Sequence, residues 1–250
     1  MTDSLIHYIL HLADNNLILT QRNGEWCGHG PILEQDIAIT NITLDLIGQS
    51  RYFYQYAAKL IGENNTEDSL AYLRKEREFK NCLLVEQDNG DWAKTIVRQF
   101  FYSAYQYGLY EKMQLCKDEQ LAGIAAKALK EVTYHVSWSS EWVIRLGDGT
   151  AESRERMQKA ISELWPYTGE LFMPSTYETA MFDEGIAPDI PALKESWLEK
   201  INKIFEEAGL TIPEKTFMQS GGKNGLHSEQ LGYLLTELQY LQRAYPGAEW

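Results

Sequence analysis

Leu44-Asp45-Leu46-Ile47-Gly48-Gln49 and Lys130-Glu131-Val132-Thr133-Tyr134-His135 are the stretches that decide how this chain reads. Each sits inside a long segment whose apolar residues recur at alternating spacings of three and four, the period of a helix that buries one face. Around the first stretch the seam is Ile39, Ile42, Leu46, Gln49 and Phe53; around the second it is Ala125, Ala128, Val132, His135 and Ser139. Two other segments carry seams of the same kind: Leu5, Ile9, Leu12, Asn16 and Leu19, then Ile96, Phe100, Ser103, Tyr107 and Tyr110. Seams of this spacing predict a four-helix bundle. Strand alternation is absent, so the expected fold class is all-α.

Near its middle each seam is broken by one polar residue: Asn16, Gln49, Ser103 or His135. Buried polar groups can pair and fix register, and each must find a partner or cost about 1–3 kcal/mol. A second reading comes from bundles that hold paired iron ions. These take Glu-x-x-His from each of two helices and a carboxylate from each of the others. Leu46 to Gln49 and Val132 to His135 have that spacing without its ligands. Leucine and valine have no donor atom, and a carboxamide is a feeble substitute for imidazole. Asp45 and Glu131 each precede a seam position by one residue, which turns them about 100° away around the helix. Asp14, two residues from Asn16, is also off its seam. A polar core network is therefore the favoured reading, with these carboxylates in structural contacts.

Helix punctuation follows the usual signals. The expected helices run from about 4 to 22, 31 to 62, 69 to 86, 91 to 116, 118 to 146, 151 to 165, 191 to 208 and 227 to 244, with a proline-containing mixed region between 166 and 191. Trp26-Cys27-Gly28-His29-Gly30-Pro31 reads as a tight turn, and Ser220-Gly221-Gly222-Lys223-Asn224-Gly225 as the strongest loop. That loop lacks the spacing and the preceding strand of a phosphate-binding loop. His7 and His11 have i, i+4 spacing but no Glu that would complete a zinc-protease motif, and no nucleophile elbow occurs.

Composition narrows the function classes. The 250 residues are long enough for a substantial core, and 44% are hydrophobic. A net charge of −13 argues against nucleic acid or an anionic membrane as a partner. Cys27, Cys82 and Cys116 are widely spaced and form no CxxC, as expected in a reducing cytoplasm. The first residues have no signal-peptide pattern, and no stretch approaches the length of a membrane span. A soluble, cytoplasmic protein is expected.

Taken together, several stretches are similar to the phenylacetate-degradation protein C family over essentially the whole chain. They are Gly24-Glu25-Trp26-Cys27-Gly28-His29, Leu44 to Gln49, Leu83-Leu84-Val85-Glu86-Gln87, Lys130 to His135, Gly221-Gly222-Lys223-Asn224-Gly225-Leu226-His227 and Gln239-Tyr240-Leu241-Gln242-Arg243. The resemblance implies a single ferritin-like domain over residues 1–250, with a core bundle from about 4 to 147 and a C-terminal helical extension from about 150 to 250. It implies a structural subunit of a phenylacetyl-CoA 1,2-epoxidase. In that complex a homologous catalytic partner carries the di-iron centre and binds the CoA thioester, and a reductase using FAD, an iron-sulfur centre and NADPH delivers electrons.

Carried onto this chain, the catalytic relative's ligand positions fall on Leu46, Gln49, Val132 and His135, and less securely on Asn16 and Ser103. The flanking carboxylates Asp45 and Glu131 survive. No catalytic residue, metal or cofactor is expected in this chain, and self-association is expected when the partner is missing. The alternatives are a metal-dependent oxygenase using His135 with Asp45 or Glu131, and a helical adaptor with no oxygenase partner.

Overall fold

A computed structural model describes residues 2–62 and 64–248. Among them all regular structure is helical, and no helix is long and apolar enough to cross a membrane. The chain divides into two compact units.

The first unit comprises Met1–Asp88, Ser175–Ala180 and Gly221–Trp250. Its centre is α1 (Thr2–Gly24) packed along α2 (Leu33–Ile61). The turn between them is closed by backbone hydrogen bonds from Trp26 to Asn23 and from His29 to Trp26, as the Trp26–Pro31 signal predicts. Around this pair lie the short helices α3 (Glu67–Tyr72) and α4 (Leu83–Glu86). The first turns of α8 (Thr176–Asp183), α10 (Glu229–Leu238) and α11 (Tyr240–Ala244) also belong to this unit.

The second unit comprises Asn89–Pro174 and Met181–Ser220. Here α5 (Trp92–Met113) packs along α6 (Glu119–Gly147), with α7 (Ala151–Leu164) and α9 (Leu193–Ala208) against them. Asp91 and Asp118 start α5 and α6 as N-caps, accepting from Lys94 N–H at 3.1 Å and Leu121 N–H at 2.9 Å. Gly209, with φ +64°, ends α9 in the left-handed region that favours glycine. Phe101, Trp165, Trp197 and Phe205 form an aromatic cluster at the centre of this unit. The Trp197 indole N–H donates to the Phe101 carbonyl at 3.0 Å, so the ring is buried without an orphaned donor.

Every seam position named from sequence is buried except Leu5 and Tyr107, which are half-buried. The reading fails at 69–86, where one helix was expected. The segment instead forms α3, a 3-10 turn at Glu76–Glu78, extended residues and then α4. Side chains of α1 capture its backbone: Asp14 accepts from Lys80 N–H at 2.8 Å and Asn15 from Cys82 N–H at 2.8 Å. Those amide groups are thereby diverted from helical bonding. The final helix also begins later than expected and divides at Gln239, whose side chain donates to the carbonyls of Ala71 and Arg74.

Trp197→Ala removes the ring at the centre of the aromatic cluster and should cost about 3–5 kcal/mol, measured as a lowered urea midpoint; an unchanged midpoint would refute this account of the second unit's core.

Candidate functional site

The six ligand-like positions are all core positions. In the first unit, Asn16 on α1 and Leu46 on α2 are 0% exposed, and Gln49 on α2 is 2% exposed. In the second, Ser103 on α5 and Val132 and His135 on α6 are 0% exposed. Ser103 Oγ accepts from Gln99 Nε2 at 2.8 Å, one turn back on the same helix. Asp45 and Glu131 are half-buried. With leucine and valine at two of these positions and no carboxylate at the others, the donor set does not fit a di-iron centre. Among the described residues, no group of three or more His, Cys, Asp or Glu side chains could hold a metal ion.

Charged chemistry is concentrated elsewhere in the first unit. Glu86 on α4 is fully buried, and both of its carboxylate oxygens are engaged. Oε1 accepts from the Ser228 backbone N–H at 2.7 Å and hydroxyl at 2.8 Å; Oε2 accepts from Asn81 Nδ2 and His227 Nδ1, each at 2.8 Å. The other ring nitrogen of His227 faces the Phe79 carbonyl at 3.0 Å. Both neighbours can only accept, so both ring nitrogens must donate and the ring is an imidazolium. Burial opposes that charge, but the hydrogen bond and negative charge of Glu86 outweigh it and hold the His227 pKa above its ordinary value.

A second buried pair lies in the same unit. Lys223 Nζ sits 3.0 Å from both oxygens of Glu178, and Glu178 also accepts from the Ser175 backbone N–H at 2.7 Å. Burial is the largest influence and would raise the Glu178 pKa, but the charge of Lys223, the neighbouring His11 and the hydrogen bonds from Ser175 and Lys223 together outweigh it, and the net shift is downward. His11 Nε2 lies 3.6 Å from the same carboxylate. That contact is not an ion pair at neutral pH, because burial lowers the His11 pKa more than Glu178 raises it. Its Nδ1 instead donates to the Lys80 carbonyl at 2.7 Å. Asp14 completes the set, accepting from the Arg74 guanidinium and from the Tyr54 hydroxyl.

These contacts explain the glycine-rich loop. Lys223 is committed to Glu178 inside the protein, which leaves no ammonium for a phosphate. A Cβ on Gly222 would lie 2.3 Å from the Asn81 carbonyl oxygen; one on Gly225, where φ is +78°, would lie 2.3 Å from that of Arg77. Both glycines are therefore needed for close backbone approach. The i, i+4 histidine pair does not act as a unit, since His7 is exposed and His11 is buried in this network. Sequence reading missed the roles of Glu86, Glu178, Lys223 and His227. No local spacing links residues more than 40 positions apart, although Glu86, Lys223 and His227 stand in stretches that carry the family resemblance.

The two pairs titrate in opposite senses. His227, with a raised folded-state pKa, stabilises the fold fully below the unfolded value of about 6.5 and loses that contribution as pH rises through the folded value. Glu178, with a depressed folded-state pKa, contributes above the unfolded carboxylate value and loses it as pH falls through the folded one. His227→Gln should remove the alkaline-side fall and cost about 2–3 kcal/mol at pH 6, read from urea unfolding across pH. A variant with the wild-type pH profile would refute the imidazolium assignment.

The comparisons with known proteins agree with this architecture. Residues 1–250 match the family described as phenylacetic acid catabolic protein. The C component of 1,2-phenylacetyl-CoA epoxidase from Escherichia coli (strain K12) is 49% identical over 248 residues, covering 99% of this chain and 100% of that one. A solved Synechococcus protein with aldehyde deformylating oxidase activity matches with a TM-score of 0.51 at 13% identity, over 94% of this chain and 92% of that one. At that identity the match speaks only to the fold, which is all-α and ferritin-like. By its full-length match and its half-identical relative, the chain belongs to the phenylacetic acid catabolic protein family, within the protein C group.

Proposed function

We propose that this chain is the structural, non-catalytic subunit of a multicomponent phenylacetyl-CoA 1,2-epoxidase and works beside a homologous di-iron catalytic subunit in phenylacetate catabolism. One observation carries the reading: Leu46 and Val132, where the catalytic relative's carboxylate ligands would fall, are fully buried apolar side chains. A carboxylate at either place would need a metal or another cation to offset its desolvation. Apolar packing removes that requirement, and with it the means to activate oxygen in this chain.

A rigid helical neighbour still has a use. Di-iron ligands must be held within a fraction of an ångström, and part of the support can come from a partner pressed against the ligand-bearing helices. The interior of this chain suits that task, with long helices, filled seams and buried ion pairs. In this reading iron belongs to the catalytic partner, while FAD, the iron-sulfur centre and NADPH serve the reductase.

Two measurements test the proposal. Val132→Glu buries a carboxylate at a fully enclosed position and should cost about 3 kcal/mol or more, seen as a lower melting temperature; no change would count against the apolar core at that place. Adding this chain to the purified catalytic subunit should raise that subunit's melting temperature and its retention of iron. A catalytic subunit equally stable and equally metallated without it would overturn the structural role.

A further inference from the structure

The outward face of α2 is apolar where a surface helix is ordinarily polar. Leu33 is 71% exposed, Ile37 53%, Leu44 61% and Ile47 42%. At 100° per residue these side chains fall within an arc of about 80°, along about 21 Å of helix. Scattered exposed apolar residues are normal on a protein surface, but an aligned row marks a place where another molecule sits. Gly48 lies just outside this arc, on the flank away from Ile47, and a Cβ built there would meet no atom within 4 Å, so that flank of the stripe is open.

A cavity of about 220 Å³ adjoins the Ile47 end of the stripe. Leu17, Tyr54 and Ala71, all buried, form its base, while Arg51, Glu67 and Asp68 lie at its mouth. It is large enough to receive one leucine-sized or aromatic side chain. Interfaces concentrate their affinity where a side chain enters such a pocket.

The charge around the stripe selects its occupant. From Asn23 to Ser50 the chain contains Glu25, Glu34, Asp36 and Asp45 and neither lysine nor arginine. Glu25 is paired with the preceding Arg22 at 3.1 Å, so the acidic margin rests on Glu34, Asp36 and Asp45. Arg51 is answered within the chain by Glu67 at 3.3 Å, which leaves Asp68 to make the mouth of the cavity acidic. A second copy would set like-charged margins against one another and join two chains of −13 each. A partner with an apolar centre and basic margins would instead be attracted and held.

We infer that the α2 stripe and its adjoining cavity form the docking seam of this chain. The occupant is a helical face of the catalytic subunit, apolar along its centre, edged by lysine or arginine, and carrying one large apolar side chain that enters the cavity. A stable interface buries about 800 Å² per partner; a stripe about 21 Å long and one helix wide forms its centre, and the acidic margins form its rim. The inference rests on the structural-subunit reading and adds to it the face that meets the partner.

The test is titration calorimetry of the full-length chain against the purified catalytic subunit. The variants are Ile37→Glu with Leu44→Glu, Asp68→Lys, and Tyr233→Glu as a control at an exposed position on α10. The paired seam variant should weaken binding by at least about 30-fold while keeping the wild-type melting temperature, since both residues are exposed. Asp68→Lys should weaken binding and reduce its dependence on salt, whereas the control should bind as wild type does. Wild-type affinity in the seam variant would overturn the docking seam and leave the structural-subunit reading standing. No binding by the wild-type chain would overturn both.

Discussion

Glu86 is buried away from water, and a carboxylate in that position survives only if each oxygen is surrounded by donors. Its four donors come from Asn81, His227 and Ser228, and its own backbone carbonyl accepts from the Arg22 guanidinium at 2.9 Å. The side chain thus joins the irregular segment after α3 to the start of α10, and the backbone carbonyl of the same residue ties in α1. Removing any donor would leave buried charge uncompensated, which is costlier than the loss of an ordinary surface pair. The same rule governs Glu178 with Lys223 and Asp14 with Arg74. The first unit therefore keeps its non-helical connections in one conformation by electrostatic satisfaction, where apolar packing alone would permit several.

The second unit relies on a different kind of order. Its centre is aromatic, and α5, α6 and α7 start at aspartate or threonine caps. Gly147 near the end of α6 would place a Cβ only 2.6 Å from the Ala208 carbonyl oxygen, so that helix end and the end of α9 approach at backbone distance. Within each unit the ligand-like positions, Asn16, Leu46 and Gln49 in the first and Ser103, Val132 and His135 in the second, belong to the packed interior.

The helices were legible because their seams obey one period over many turns. Ile39, Ile42, Leu46 and Phe53 announce a buried face whatever lies opposite. The segment 69–86 was not legible, because its conformation is set by Asp14 and Asn15, which capture backbone groups more than 60 residues away in sequence. His227 shows the same limit: it reads as the start of a helix but belongs to Glu86, and Ser228 gives its hydroxyl to the same carboxylate without capping α10. At the ligand-like positions, residue identity was informative by itself. Leu46 and Val132 exclude hard-metal ligation at those places on chemistry alone, and their complete burial fits that reading.

The account turns on whether this chain holds iron. Anaerobic loading with ferrous ion, followed by metal analysis of the isolated chain and of its complex with the catalytic subunit, measures that directly. The account predicts no bound iron in the isolated chain and one di-iron centre per catalytic chain in the complex. Stoichiometric iron retained by the isolated chain would contradict it and return His135, Asp45 and Glu131 to consideration as ligands.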